Sequence, residues 1–285
     1  MFDREKDHAL AREIAGQCMV LLKNEDQVLP LKRTQKAAFI GAFAEKPRYQ
    51  GGGSSHINSF KVESALEMAK GCCVTYAKGF AAESELVDEA LLAEAVEAAA
   101  EADVAVVFAG LPDSFESEGF DRKHMELPLC QNVLISAVAK ANPNTVVVLH
   151  NGAPVEMPWI SEVKGILETY LCGQAVGGAV IDVLYGEVNP SGHLAETFPR
   201  ALRETPSYIS FQGEGDRVEY REGVFVGYRY YATKKIPVLF PFGHGLSYTT
   251  FAFSNLRTNQ VVYHRGDRVA VSYTHLRAHE TDSYL

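Results

Sequence analysis

Val104-Ala105-Val106-Val107-Phe108 and Thr145-Val146-Val147-Val148-Leu149 are the stretches whose reading decides the fold. Both are apolar and rich in β-branched residues, and neither alternates with polar positions, so each suits a strand buried on both faces. Residues 84–102, ahead of the first, are rich in Ala, Leu and Glu, and residues 131–140, ahead of the second, also read as helix. Working outward, residues 37–43 and 72–76 read as further strands, while residues 165–170 and the helical residues 175–184 complete another unit. Strands alternating with helices of this length imply right-handed βαβ crossovers. The expected fold is a three-layer α/β/α sandwich around a mostly parallel sheet.

At the N-terminal end, Leu10, Ile14, Cys18 and Leu21 fall at helical spacing, which predicts a helix over residues 9–22 with that face turned inward. After Asn189-Pro190-Ser191-Gly192 the helical periodicity gives way to Gly, Pro and aromatic residues, so residues 190–250 are expected to wrap the sheet domain irregularly with short β pairing. Residues 251–256 and 268–273 read as strands of something else, without partners of their own. The expected division is a main domain over 1–250, an incomplete β segment over 251–273, and a tail over 274–285 that breaks the strand pattern.

Composition narrows the function. The 285 residues are 47% hydrophobic and 22% charged, an ordinary globular balance for a chain long enough to hold a core. Thirty-six acidic residues against 27 basic leave a net charge of −9, and no Lys/Arg cluster is present to displace counterions, so nucleic acid is not an expected partner. The apolar run at residues 145–149 is far short of the ~20 residues a membrane span needs, so neither is a membrane. The charged start Met1-Phe2-Asp3-Arg4-Glu5-Lys6-Asp7 lacks a signal-peptide pattern, which favours a cytoplasmic location. Cys18, Cys72, Cys73, Cys130 and Cys172 form no C-x-x-C pair, and reduced, mostly buried thiols are expected. His56, His124, His150, His193 and His244 are isolated in sequence, with no metal-ligand spacing. No metal and no cofactor are expected.

Ligands of parallel α/β sheets gather beyond the carboxyl ends of the strands, and two loops there carry chemistry. Gly51-Gly52-Gly53-Ser54-Ser55 combines close backbone approach with two hydroxyls. It matches no phosphate loop, and reads either as a surface turn or as a ligand contact. Residues 110–128 hold Asp113, Glu116, Glu118, Asp121 and Glu126. A carboxyl on a loop held by a rigid strand suits general acid chemistry; a solvated acidic loop is the alternative. Glu118 fits best, beside Gly119 and ahead of Asp121 and Arg122, which are expected to pair and orient the turn.

Several blocks, in order along residues 8–251, make the sequence recognisable. They include Val20-Leu21-Leu22-Lys23-Asn24-Glu25, Gly51-Gly52-Gly53-Ser54-Ser55, Glu118-Gly119-Phe120-Asp121-Arg122, Asn151-Gly152-Ala153-Pro154-Val155, Gly227-Tyr228-Arg229-Tyr230-Tyr231 and Phe240-Pro241-Phe242-Gly243-His244-Gly245. Together they resemble the C-terminal α/β sandwich domain of family 3 glycoside hydrolases, the β-glucosidase and β-xylosidase family. The resemblance implies that Glu118 is the acid/base, with Glu116 as the runner-up. Ser54 would be the sandwich-domain residue that reaches the sugar. The family's aspartate nucleophile comes from a (β/α)8 barrel domain, and no residue here matches it. The implied partners are therefore a β-linked oligosaccharide or aryl glycoside and that barrel. Residues 251–273 resemble the opening of a fibronectin type III-like domain.

A retaining glycosidase needs two carboxyl groups about 5–5.5 Å apart, so a chain holding one of them is expected to be inactive alone. Two other classes compete with a hydrolase fragment: a non-catalytic carbohydrate-binding or interaction module, and a flavodoxin-like nucleotide binder.

Overall fold

The computed structural model describes residues 3–277, which fall into two compact units divided between Leu246 and Ser247. In the first, helix α1 (Arg4–Cys18) starts where the Asp3 side chain accepts the Lys6 N–H. Strand β1 (Val20–Asn24) follows after one residue. The expected helix over residues 9–22 thus ends early, and its inward face is corrected: Leu10 and Ile14 are half exposed, while Leu21 belongs to the strand. Polar contacts orient α1 instead. His8 lies 2.9 Å from the Glu63 carboxylate, and Arg12 pairs with Asp182 at 2.6 Å. Ala15 and Gly16 complete the buried side.

Next come β2 (Ala37–Ile40), α2 (Ala42–Glu45), α3 (Ala65–Met68) and β3 (Val74–Ala77). Helix α4 (Glu89–Ala100) begins five residues later than its composition suggests, because the Asp88 carboxylate caps the N–H groups of Ala90 and Leu91. Then follow β4 (Val104–Gly110), α5 (Leu129–Ala141), β5 (Thr145–His150), β6 (Gly165–Glu168) and α6 (Val176–Leu184).

Six strands form one sheet in the order β1-β6-β5-β4-β2-β3. Every pair is parallel except β1 with β6. All residues of β4 and β5 are buried, as their unbroken apolar runs require. Helices α4 and α5 pack together on the sheet, and α1 and α3 pack on α6. Helix α6 is consequently buried almost all round, with Val176, Ala179, Val180 and Val183 fully enclosed. This is the expected three-layer α/β/α sandwich.

Residues 187–246 wrap it. Phe198 and Phe240 form an isolated antiparallel bridge, and Leu246 another with Leu21. His244 anchors the return, its Nε2 2.8 Å from the Leu22 carbonyl, which fits a structural turn. A 3-10 turn at Leu202–Glu204 and a short α-helix, α7 (Tyr228–Lys234), interrupt a segment expected to have no helix. The thiols also differ from expectation: Cys130 is buried, whereas Cys18 and Cys73 are exposed.

In the second unit, β7 (Phe251–Thr258) pairs antiparallel with β8 (Val271–Arg277). The two expected strands are therefore partners, and β8 runs beyond the expected break after Tyr273. All eight residues of β7 are exposed. Of the expected tail, residues 278–285 lie outside the described residues.

Candidate functional site

The sheet has a topological switch point between β2 and β4: from β2 the chain moves outward to β3, then returns to build β4 on the other flank of β2. Loops leaving the carboxyl ends of these strands separate there and leave a crevice. The two loops singled out from the sequence are the ones flanking it, residues 46–56 after β2 and 111–122 after β4.

They are joined. Gly52 and Ser117 form a parallel bridge, and the Ser54 backbone N–H donates to Oε2 of Glu118 at 2.6 Å. The approach depends on Gly53, whose φ is +82° and whose place offers no room for a Cβ, since one would lie 2.5 Å from the Glu118 Cβ. Glu118 remains solvent-exposed. Hydrogen bonds from the Ser54 side chain and backbone favour its charged form and hold its carboxyl below the usual carboxylate range.

Glu116, two residues away, is placed quite differently. Arg48 donates from Nη1 to its Oε2 at 2.7 Å, and the Gly152 N–H donates to the same oxygen at 2.7 Å. Arg48 has a side chain only 5% exposed and also donates to the carbonyls of Leu111 and Glu116 and to Asp113. This fork ties the loops after β2, β4 and β5 into one block. Glu116 is thus committed to Arg48 and Gly152, whereas Glu118 is exposed.

Arg122 does not turn back on Asp121 as expected. Its Nη1 donates to the Pro154 carbonyl at 3.1 Å, and its guanidinium lies 4.0 Å from Glu116. Burial lowers its pKa from the usual arginine value.

Behind these loops the ends of β5 and β6 carry two titratable groups in the core. Glu168 is fully buried, accepts from Asn151 Nδ2 at 3.0 Å and from the Tyr170 N–H at 2.9 Å, and is pushed up to about 8 by desolvation. His150 is pushed down to about 4 by the same burial. Burial thus favours the neutral form of both.

Sequence reasoning singled out Ser54, Glu116 and Glu118 and passed over Arg48 and Glu168. Arg48 stands alone between Pro47 and Tyr49, with no spacing to mark it. Glu168 sits in an apolar strand, where a lone carboxyl at a strand's carboxyl end was the available signal. Among the described residues no group of three His, Cys, Asp or Glu side chains has metal-binding proximity, and no helix is long and apolar enough to cross a membrane.

Comparison with known proteins adds a family. The model described as "Glycosyl hydrolase family 3 C-terminal domain" matches residues 19–248. Thermostable beta-glucosidase B of Acetivibrio thermocellus is 58% identical over 264 residues, which cover 91% of this chain and 35% of that protein. An exo-alpha-(1->6)-L-arabinopyranosidase of Bifidobacterium longum is 46% identical over 267 residues, 90% of this chain and 35% of that protein. Among solved structures, the GH3 beta-glucosidase of Bifidobacterium adolescentis superposes with a TM-score of 0.90 at 46% identity, over 97% of this chain and 41% of that one. Beta-glucosidase 3B of Thermotoga neapolitana, crystallised with glucose, gives 0.83 at 31% identity, over 96% and 42%. The chain spans about a third of the length of the curated relatives it matches.

Proposed function

The chain belongs to glycosyl hydrolase family 3, as a C-terminal domain of that family, and from this premise we propose that it supplies the acid/base carboxyl, Glu118, for retaining hydrolysis of a terminal β-glycoside. The attacking carboxylate comes from a (β/α)8 barrel in the portion of the protein that these residues do not cover. The observation that carries the reading is the contact at the switch point: Glu118 is exposed, on a loop fixed by a rigid strand, with Ser54 at 2.6 Å.

In the first step Glu118 gives its proton to the departing oxygen while the other carboxylate attacks the anomeric carbon. In the second it takes a proton from the water that releases the sugar. Ser54 keeps the carboxyl aimed and offers its hydroxyl to the sugar. Within this chain Ser54 favours the ionised form of Glu118, the wrong form for the first step. A second carboxylate about 5–5.5 Å away would raise the Glu118 pKa by like-charge repulsion. Proton loading of the acid is therefore a product of assembly with the barrel.

The test is a leaving-group comparison in the full-length protein. Glu118→Gln should slow cellobiose hydrolysis by about 10²- to 10⁴-fold and slow release of dinitrophenolate, which departs without a proton, much less. Equal losses on both substrates would remove Glu118 from the role, and the same pattern in Glu116→Gln would transfer it there.

A further inference from the structure

Glu168 is a buried acid that the proposed chemistry does not use. It closes β6 behind Gly165, Ile166 and Leu167 and is fully buried, where an apolar side chain would avoid the desolvation cost of a carboxyl. Its hydrogen bonds show what the carboxyl does there. Oε1 accepts from the Tyr170 N–H at 2.9 Å, and Oε2 from Asn151 Nδ2 at 3.0 Å. The same Nδ2 donates to the Ala153 carbonyl at 3.0 Å, whereas Asn151 Oδ1 is buried without a hydrogen-bond partner. Asn151 therefore clamps the turn after β5 through its nitrogen alone, and Glu168 is the side-chain acceptor it is held against.

That turn carries Gly152, whose N–H donates to Glu116 Oε2 at 2.7 Å. The contact leaves no slack, since a Cβ at position 152 would lie 2.9 Å from the same oxygen. Arg48 grips Glu116 from the other side, at its carboxylate and at its carbonyl, and Glu118 follows two residues later on the same loop.

We infer that Glu168 is a positioning residue for the acid/base: through Asn151 and the Gly152 N–H it fixes the Glu116 carboxylate, and so the loop that aims Glu118. The inference rests on the reading of Glu118 given above. Glu168 itself touches no reacting atom. Its effect is on aim, which matters because a misplacement of about 1 Å can cost a reaction about 10²-fold.

Kinetics of the full-length protein test it, with cellobiose, whose leaving oxygen needs the proton, and dinitrophenyl β-glucoside, whose leaving group does not. Glu168→Met and Glu168→Leu remove both acceptors and keep the apolar strand filled. Each should lower kcat/KM for cellobiose about tenfold relative to that for the dinitrophenyl substrate. A merely structural loss of active protein lowers both rates together and leaves their ratio unchanged. Asn151→Ala should lower the ratio as well, and combining it with Glu168→Met should lower it no further than the larger single loss, because both act through one link. An unchanged ratio in the Glu168 variants, or losses that add in the double variant, would overturn the inference. Glu118→Gln in the same assay separates the two claims. Leaving-group dependence there, with none in the Glu168 variants, removes Glu168 and leaves Glu118 as the acid/base; no dependence in Glu118→Gln overturns both.

Discussion

The Ser54 N–H reaches Oε2 of Glu118 at 2.6 Å, joining residues 64 positions apart across the switch point between β2 and β4. Ser54 is the group that lowers the Glu118 pKa within this chain, because a donated hydrogen bond favours the carboxylate.

Ser54→Ala should therefore raise the Glu118 pKa toward the ordinary carboxylate value, part of the way, since the backbone donor remains. Carboxyl-carbon NMR titration of this chain reads it. An unchanged or lowered pKa would show that the hydroxyl does not act on Glu118.

Arg48 is expected to hold the loop block together. Arg48→Ala leaves the largely buried Glu116 with only the more distant Arg122, 4.0 Å away, and breaking a buried pair typically costs about 3–5 kcal/mol, of which Arg122 should offset a part. Adding Glu116→Leu to that variant removes the remaining charge and should recover part of the loss. Urea unfolding of the single and double variants measures the coupling; strictly additive losses would contradict a buried pair.

How much of this was legible in the sequence depends on what each segment had to satisfy locally. The strands Val104–Gly110 and Thr145–His150 were readable because complete burial forces an apolar run without alternation. Strand Val20–Asn24 was not, since Val20, Leu21 and Leu22 continue the helical pattern of α1 with no Gly or Pro between them, and only pairing with β6 makes them extended. The face of α1 was misread because His8 and Arg12 orient it through partners 55 and 170 residues away. Glu118 and Ser54 lay in loops at strand ends, where function collects. Arg48 owes its role to three loops meeting in space, which no local pattern records.

The buried Glu168 gives a pH dependence. Its folded pKa of about 8 lies above the ordinary 4.5, so the folded protein retains a proton that the unfolded chain releases between those values. Its contribution to stability is complete below about pH 4.5 and is lost as pH rises toward about 8, by about 1.4 kcal/mol per unit. Glu168→Gln carries no titrating proton there. Relative to the variant, the natural chain should become progressively less stable from pH 5 to pH 8 in urea unfolding, and a constant difference would contradict the buried neutral acid.

Val106 and Val147 lie on the neighbouring strands β4 and β5, each fully enclosed. Val106→Asp and Val147→Asp each place an unpaired carboxylate in that core, and each should cost several kcal/mol, on the order of the whole stability of a domain. A cooperatively unfolding, soluble double variant would refute the buried parallel sheet.

The central claim is that Glu118 is the acid/base, and azide tests it most directly. In full-length protein carrying Glu118→Gln, dinitrophenyl β-glucoside should still glycosylate the enzyme, after which no base remains to activate water. Azide attacks without needing a base, so added azide should restore turnover and yield β-glucosyl azide, identified by mass and anomeric NMR. Turnover unchanged by azide, with glucose as the sole product, would contradict the assignment.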